Sequence, residues 1–232
     1  MPKVVDQFLG RLRGKIGDVI FKISHGISYA TRSPLPKPAS TDPVVIARQT
    51  RFGLTIKFAH AVNAISLLRP FWKNYIPEGS KGFQTNINKI MRKNFTHVQS
   101  TGISDLATLV PELGFTASST SITLANDLIT VVLAPIGNVD EIDLGVETSF
   151  SLALVLYLKT PIGTDVPQQF FIHSISDKVN INLTNPLTFT IPLTTMQGKY
   201  FDLYSDKKAF FALITSDINS VPHHYSDTFV SA

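Results

Sequence analysis

The stretch Phe150-Ser-Leu-Ala-Leu-Val-Leu-Tyr-Leu158 decides the fold class of this 232-residue chain. A phenylalanine and four leucines occupy every second position, which is the side-chain period of a β-strand. Ala153, Val155 and Tyr157 make the other face of the strand apolar as well. The stretch is far shorter than the roughly 20 apolar residues that span a bilayer. We therefore predict a long strand of a water-soluble domain, with two apolar faces.

More strands are predicted on both sides of this stretch, because short β-branched and aromatic runs alternate with turn residues at intervals of about 10 residues. The spacing is typical of an immunoglobulin-like antiparallel β-sandwich, and a jelly roll is the alternative. The predicted strands are 121–124, 128–134, 169–173, 179–183, 187–192, 200–204, 209–215 and 228–230.

Helical periodicity replaces alternation before residue 101. Asp42-Pro43 is a typical helix start, and apolar residues follow with a 3.6-residue period until Pro70, which predicts a helix over 44–69. A second apolar face predicts a helix over 83–94, so that the two form a helical hairpin.

The N-terminal region combines glycine, cations and proline. Residues 1–17 are predicted to form a basic arm, because Gly10–Gly17 holds three glycines and three cations. Residues 18–33 are predicted to form a β-hairpin, and 34–43 a proline-rich spacer. The whole is an α+β protein with a predicted N-terminal segment, 1–100, and a β-sandwich domain, 101–232.

The balance of charged residues also changes near residue 100. Residues 1–100 contain 16 Lys and Arg against 4 Asp and Glu, whereas residues 101–232 contain 5 against 13. Such asymmetry suits either a polyanion or the acidic half of a neighbouring copy as the partner of the basic half.

No residue pattern indicates catalysis or a cofactor, so we expect a protein that is not an enzyme. The chain has no cysteine, no Gly-x-Ser-x-Gly nucleophile motif and no phosphate-binding loop. Asp140-Glu-Ile-Asp143 with Glu147 lacks the spacing of a calcium loop, and we interpret it as a solvated edge. The adjacent His223 and His224 are predicted to lie in an exposed loop, because neighbouring side chains of an extended chain point apart.

The basic, partly aromatic N-terminus contains the candidate contact residues. Cations there could bind phosphates or an acidic protein surface, and the aromatic rings could stack on bases or pack in an interface. A solvated surface with no partner is the third interpretation. The candidates are Arg11, Arg13, Lys15, Phe21, Lys22, Tyr29 and Arg32.

One resemblance extends along the chain. The series Gly10, Gly14-Lys15-Ile16-Gly17, Val19, Gly26, Arg32 and Pro34, followed by Pro38, Thr41, Arg48 and Arg51-Phe52, resembles the N-terminus of an uncharacterised family of Bacteroidota proteins of similar length. That family continues with a helical segment and a β-rich half, and its last strand is similar to Tyr225-Ser-Asp-Thr-Phe-Val-Ser231. The resemblance implies no activity and no site residues.

The sequence thus favours a structural, self-assembling subunit, of a phage virion or of a filament, whose arm and hairpin contact neighbouring copies. Nucleic-acid binding by the basic half is the alternative. A carbohydrate or ligand site on the sandwich is less favoured, because core packing explains the aromatic residues of the strands. We expect cytoplasmic synthesis and no membrane segment, since no signal peptide is apparent, and the final location stays open between cytoplasm, virion and exported assembly.

Overall fold

A computed structural model describes residues 14–24, 27–32, 40–79, 84–137 and 140–231. The chain forms two compact units, Met1–Asp42 and Pro43–Ala232. The sequence placed the boundary near residue 100 instead. The structure puts the helices in one unit with the sheets that follow them in sequence, because the helices cover an apolar face of the largest sheet and share a core with it.

The first unit contains a three-stranded antiparallel sheet, which we call the ribbon: β1 (Gly14–Ile16), β2 (Val19–Ser24) and β3 (Ile27–Arg32). The predicted hairpin corresponds to β2 and β3, which pair from Val19↔Arg32 to Ser24↔Ile27. Part of the predicted arm is a strand as well, since Gly14 pairs with Phe21. A turn that includes Gly17, with φ +56, makes this possible. The rest of the arm, residues 1–13, and most of the spacer, 34–39, lie outside the described residues, as do 25, 26 and 33 of the hairpin.

The second unit begins with helices. The predicted helix 44–69 is divided, because Ile65 has an extended backbone (φ −72, ψ 110) that ends the first helix. Pro70 does not end a helix; it lies in the first turn of the next one, where proline is tolerated. The segments are α1 (Pro43–Ala64), a 3₁₀ turn (Ser66–Leu68), α2 (Arg69–Asn74), α3 (Asn86–Asn94) and a second 3₁₀ turn (Phe95–His97).

Strands and one further helix follow: β4 (Val98–Gln99), β5 (Gly102–Ile103), β6 (Ser119–Leu124), β7 (Leu128–Leu133), β8 (Glu147–Pro161), β9 (Gln169–Ile175), β10 (Val179–Asn180), β11 (Leu187–Pro192), α4 (Thr195–Asp202), β12 (Tyr204–Asp217), β13 (Pro222–Tyr225) and β14 (Phe229–Val230). In the large antiparallel sheet β8 and β12 are central; β9 and β10 pair with β8, and β13 and β14 pair with β12. A small sheet has the order β11-β7-β6, and β4 pairs with β5.

Two predictions in this region are wrong. The predicted strand 200–204 overlaps α4, which is stabilised by a capping box between Thr194 and Gln197. His223 and His224 lie in strand β13 rather than in an exposed loop.

The large sheet is covered on both faces. Alternate residues of β8 and β12, such as Leu154 and Phe211, join the small sheet in one core. The intervening residues, such as Tyr157 and Phe210, join α1, α2 and α3 in a second core. The second unit therefore has three layers, helices on one face of the large sheet and the small sheet on the other, and the fold class is α+β. In the described part of the chain, no helix is long and apolar enough to cross a membrane.

Candidate functional site

The ribbon separates the candidate contact residues onto its two faces. Residues directly opposite each other in an antiparallel pair share a face, and so do alternate residues of a strand. Lys22 pairs with Tyr29, and Lys15 pairs with Ile20, two positions from Lys22. These three candidates, Lys15, Lys22 and Tyr29, therefore lie on one face.

The opposite face of the ribbon carries the other described candidates. Phe21 and Arg32 lie there, together with Ile16 and Val19, because Val19 pairs with both Ile16 and Arg32. This face is mainly apolar and has a cation at its edge, whereas the first face is cationic and aromatic. The remaining candidates, Arg11 and Arg13, lie outside the described residues.

The ribbon is exposed. Among residues 14–22 and 29–32, whose side chains the structure describes, none is buried. Ile16 is 64% exposed, Val19 39% and Tyr29 36%. Apolar side chains in an isolated small sheet contribute little stability until another surface covers them.

The cations of the helical layer have structural partners. Arg51 donates to the backbone carbonyl of Phe95 and also lies over its ring, 4.1 Å from the centroid. The Lys89 Nζ donates to the carbonyls of Trp72 and Lys73 at the end of α2, at 3.0 and 2.7 Å. Because helix ends leave carbonyls without partners, these cations stabilise the helical layer. Arg51 and Lys89 are therefore bound to the backbone of the helical layer rather than free on a solvated helix face.

The acidic cluster includes one buried carboxylate. The Glu147 side chain is 1% exposed, and its Oε1 lies 3.0 Å from the His224 Nδ1 and accepts a hydrogen bond from the Asp143 backbone N–H at 2.8 Å. Its Oε2 is buried without a hydrogen-bond partner. Within the described residues, no group of three or more His, Asp or Glu side chains is placed to hold a metal ion.

The two adjacent histidines contact different carboxylates. His224 contacts Glu147, whereas the His223 Nε2 lies 3.7 Å from the Asp217 carboxylate. The pKa of Asp217 is held below its ordinary value, chiefly by the Val221 backbone N–H and to a smaller extent by Asn219 and His223. Asp217 is therefore a stable negative charge at neutral pH.

A polar cavity of about 250 Å³ lies at the other end of the large sheet, where β4 and β5 meet β8. Burial raises the pKa of Tyr157 to about 12, and its phenol group has no hydrogen-bond partner. Two lysines line the cavity, but each is paired: Lys159 with Asp206 at 2.9 Å and Lys208 with Asp105 at 2.7 Å. These ion pairs neutralise the cavity, so it is not a ready anion site.

Compared with protein-family models and with curated proteins, the chain has no significant match. The resemblance of its N-terminal residues to a Bacteroidota family therefore stays a prediction.

Proposed function

We propose that this protein is a structural, self-assembling subunit whose N-terminal ribbon binds neighbouring copies. The observation that carries the proposal is the ribbon itself: a compact unit of three strands that exposes Ile16, Val19 and Tyr29. An exposed apolar surface of this kind, rimmed by cations, is typical of a protein interaction site.

The second unit suits the proposal, because it has the extensive core of a stable body. Residues from both sheets and from three helices are fully buried in it. The facing antiparallel sheets support a β-sandwich in this unit, and the immunoglobulin-like classification stays a prediction. In the proposal the ribbon makes the contacts between copies, as a virion component or as a filament subunit.

The experiment compares the full chain with a variant that lacks residues 1–42, by light scattering over a wide range of concentrations. We expect the full chain to form oligomers whose mass increases with concentration, and the shortened chain to be a folded monomer. A monomeric full chain at every concentration would refute the proposal. Circular dichroism of the shortened chain is the control for folding.

Nucleic-acid binding is the second candidate, favoured by the cationic face of the ribbon. Lys15 and Lys22 lie on the same face as the Tyr29 ring, so phosphates and a base could be bound together. On duplex DNA the logarithm of the binding constant should then fall with the logarithm of salt concentration, with a slope of about −0.9 for each phosphate neutralised. Removal of both lysines should reduce that slope, and absence of binding at low salt would exclude this candidate.

A further inference from the structure

One end of the second unit combines exposed apolar side chains with carboxylates. Glu147, the first residue of β8, pairs with Asp217, the last residue of β12, so the loops before and after this pair lie at the same end of the sheet. The Lys178 Nζ donates to the Ser220 Oγ at 2.6 Å, which brings the loop between β9 and β10 to the same place. We call this surface the acidic end; its exposed or partly exposed residues include Asp140, Glu141, Asp143, Leu144, Val146, Asp177, Asp217, Ile218 and Val221.

The apolar side chains of the acidic end are unusually exposed. Ile218 is 82% exposed, Leu144 61%, Val221 51% and Val146 45%. Single exposed apolar residues are ordinary on protein surfaces, but four of them in two neighbouring loops form a patch. The patch is surrounded by carboxylates, and Lys178 is the only Lys or Arg in its described loops.

The loops of the acidic end have a defined conformation. The Asp143 carbonyl accepts from the backbone N–H of Val146 and of Glu147, at 3.0 and 2.7 Å. The Val221 N–H donates to the Asp217 Oδ1 at 2.8 Å, and the Asp217 N–H donates to the Val221 carbonyl at 3.1 Å. Because these bonds fix the loops before any partner binds, a partner would lose little free energy in ordering them.

The buried Glu147 adds a second, independent feature. Its Oε2 has no partner although the side chain is 1% exposed. Isolated buried carboxylate oxygens are costly, and the charge of Glu147 adds to the negative potential that favours a cationic partner at this end.

We propose that the acidic end binds the ribbon of a second copy of this chain, an inference that rests on the proposed self-assembly. One face of the ribbon is complementary to the acidic end in both respects: Ile20 and Tyr29 match the apolar patch, and Lys15 and Lys22 match the carboxylates. A contact between the ribbon of one copy and the acidic end of the next joins two different surfaces. Such contacts can repeat head to tail into an open filament or a closed ring, of which the smallest is a reciprocal dimer in which each ribbon binds the other copy.

The experiment uses full-length variants and light scattering. A triple variant, Glu141→Lys, Asp177→Lys and Ile218→Ser, changes three exposed side chains of the acidic end for which the structure records no hydrogen bond or ion pair. We expect its dissociation constant for self-association to rise about tenfold or more. The matched control is Ile162→Ser with Asp165→Lys, two exposed residues in the loop between β8 and β9, and it should assemble like the wild type.

A charge exchange tests the pairing directly. The variant Lys15→Glu, Lys22→Glu should lose self-association in the same way. Mixed with the double variant Glu141→Lys, Asp177→Lys, which keeps Ile218, it should assemble again, because the reversed ribbon of one protein then meets the reversed acidic end of the other. Unfolding temperatures of all variants show that the loss is one of binding and not of folding.

The outcomes distinguish this inference from the proposed function. If removal of residues 1–42 abolishes assembly while the triple variant assembles normally, the ribbon binds elsewhere and the acidic end is excluded as its site. If each variant alone fails to assemble and their mixture fails as well, the proposed pairing of the ribbon with the acidic end is wrong. If the full chain never assembles, the proposed function fails, and the inference fails with it.

Discussion

The division of the chain makes a strong prediction about fragments. A fragment that starts at Pro43 keeps all three layers of the second unit, whereas one that starts at Thr101 lacks α1, α2 and α3. The shorter fragment would expose the face of the large sheet that these helices cover. Its largest newly exposed side chains, each at most 1% exposed in the structure, are Val155, Tyr157, Phe210 and Ile214.

The expected loss of stability follows from that exposure. Burial of a large apolar side chain contributes about 2 kcal/mol, so four of them contribute about 8 kcal/mol. The contact between the Phe58 and Phe210 rings, with centroids 5.6 Å apart, is lost in addition. Domains of this size have a total stability of about 5–15 kcal/mol. We therefore expect the longer fragment to fold and the shorter one to be unfolded or aggregated.

Guanidinium unfolding followed by far-UV circular dichroism measures this difference, and dispersion of the amide NMR signals reports on native packing. Phe58→Ala in the longer fragment is an intermediate case, in which we expect a loss of about 3–5 kcal/mol. Cooperative unfolding of the shorter fragment, with a free energy within about 2 kcal/mol of the longer one, would refute the single unit and restore a boundary near residue 100.

Two further predictions concern single residues. Burial chiefly raises the pKa of Tyr157 from 10.0 to about 12, so the neutral phenol stabilises the fold below pH 10 and this contribution is lost as the pH rises through 12. The variant Tyr157→Phe should therefore lose less stability than the wild type between pH 10 and pH 12, as measured by thermal unfolding. Equal losses in the two proteins would contradict the raised pKa. In α1, Gly53→Ala should raise the free energy of unfolding by about 0.5–1 kcal/mol, because a Cβ there has open space. Gly198→Ala in α4 should lower it, because the Cβ would collide with the Asn126 carbonyl, and urea unfolding of the two variants should show opposite signs.

Elements with strong local signals could be predicted from the sequence. The strand Leu187–Pro192 has the predicted bounds, and its apolar positions alternate in burial as a strand period requires. The hairpin of the ribbon was also accessible, because two β-prone runs flank a short glycine-containing connection. In both cases the information lies within a few neighbouring residues.

Predictions failed where two local signals compete for the same residues. Tyr200 and Phe201 favour a strand by their side chains, but Thr194 and Gln197 have the spacing of a capping box and the segment is helical. The break at Ile65 had no proline or glycine to reveal it. The layer that covers the second face of β8 depends on packing between distant segments, although the apolar Val155 and Tyr157 already required some cover.

The candidate site was only partly accessible for the same reason. The pairing of β1 with β2 determines which candidates share a face of the ribbon. The register of that pairing cannot be predicted from amino-acid composition. The acidic end is formed by loops about 70 residues apart in sequence, around the pair of Glu147 and Asp217. Its apolar residues are unremarkable until the sheet brings them together.

Strands β8 and β12 raise a problem of alignment during folding. In most half-buried strands a slip by one residue moves apolar side chains into water, and this penalty specifies the pairing. Here both faces are apolar, so a slip would only exchange the two cores. Polar contacts at the two ends discriminate instead. Lys159 of β8 faces Asp206 of β12 at one end, and at the other end Glu147 of β8 contacts His224 of β13, the strand that pairs with β12. The charged side chains therefore specify the register of β8 and β12, because the hydrophobic pattern of the two strands specifies it only weakly.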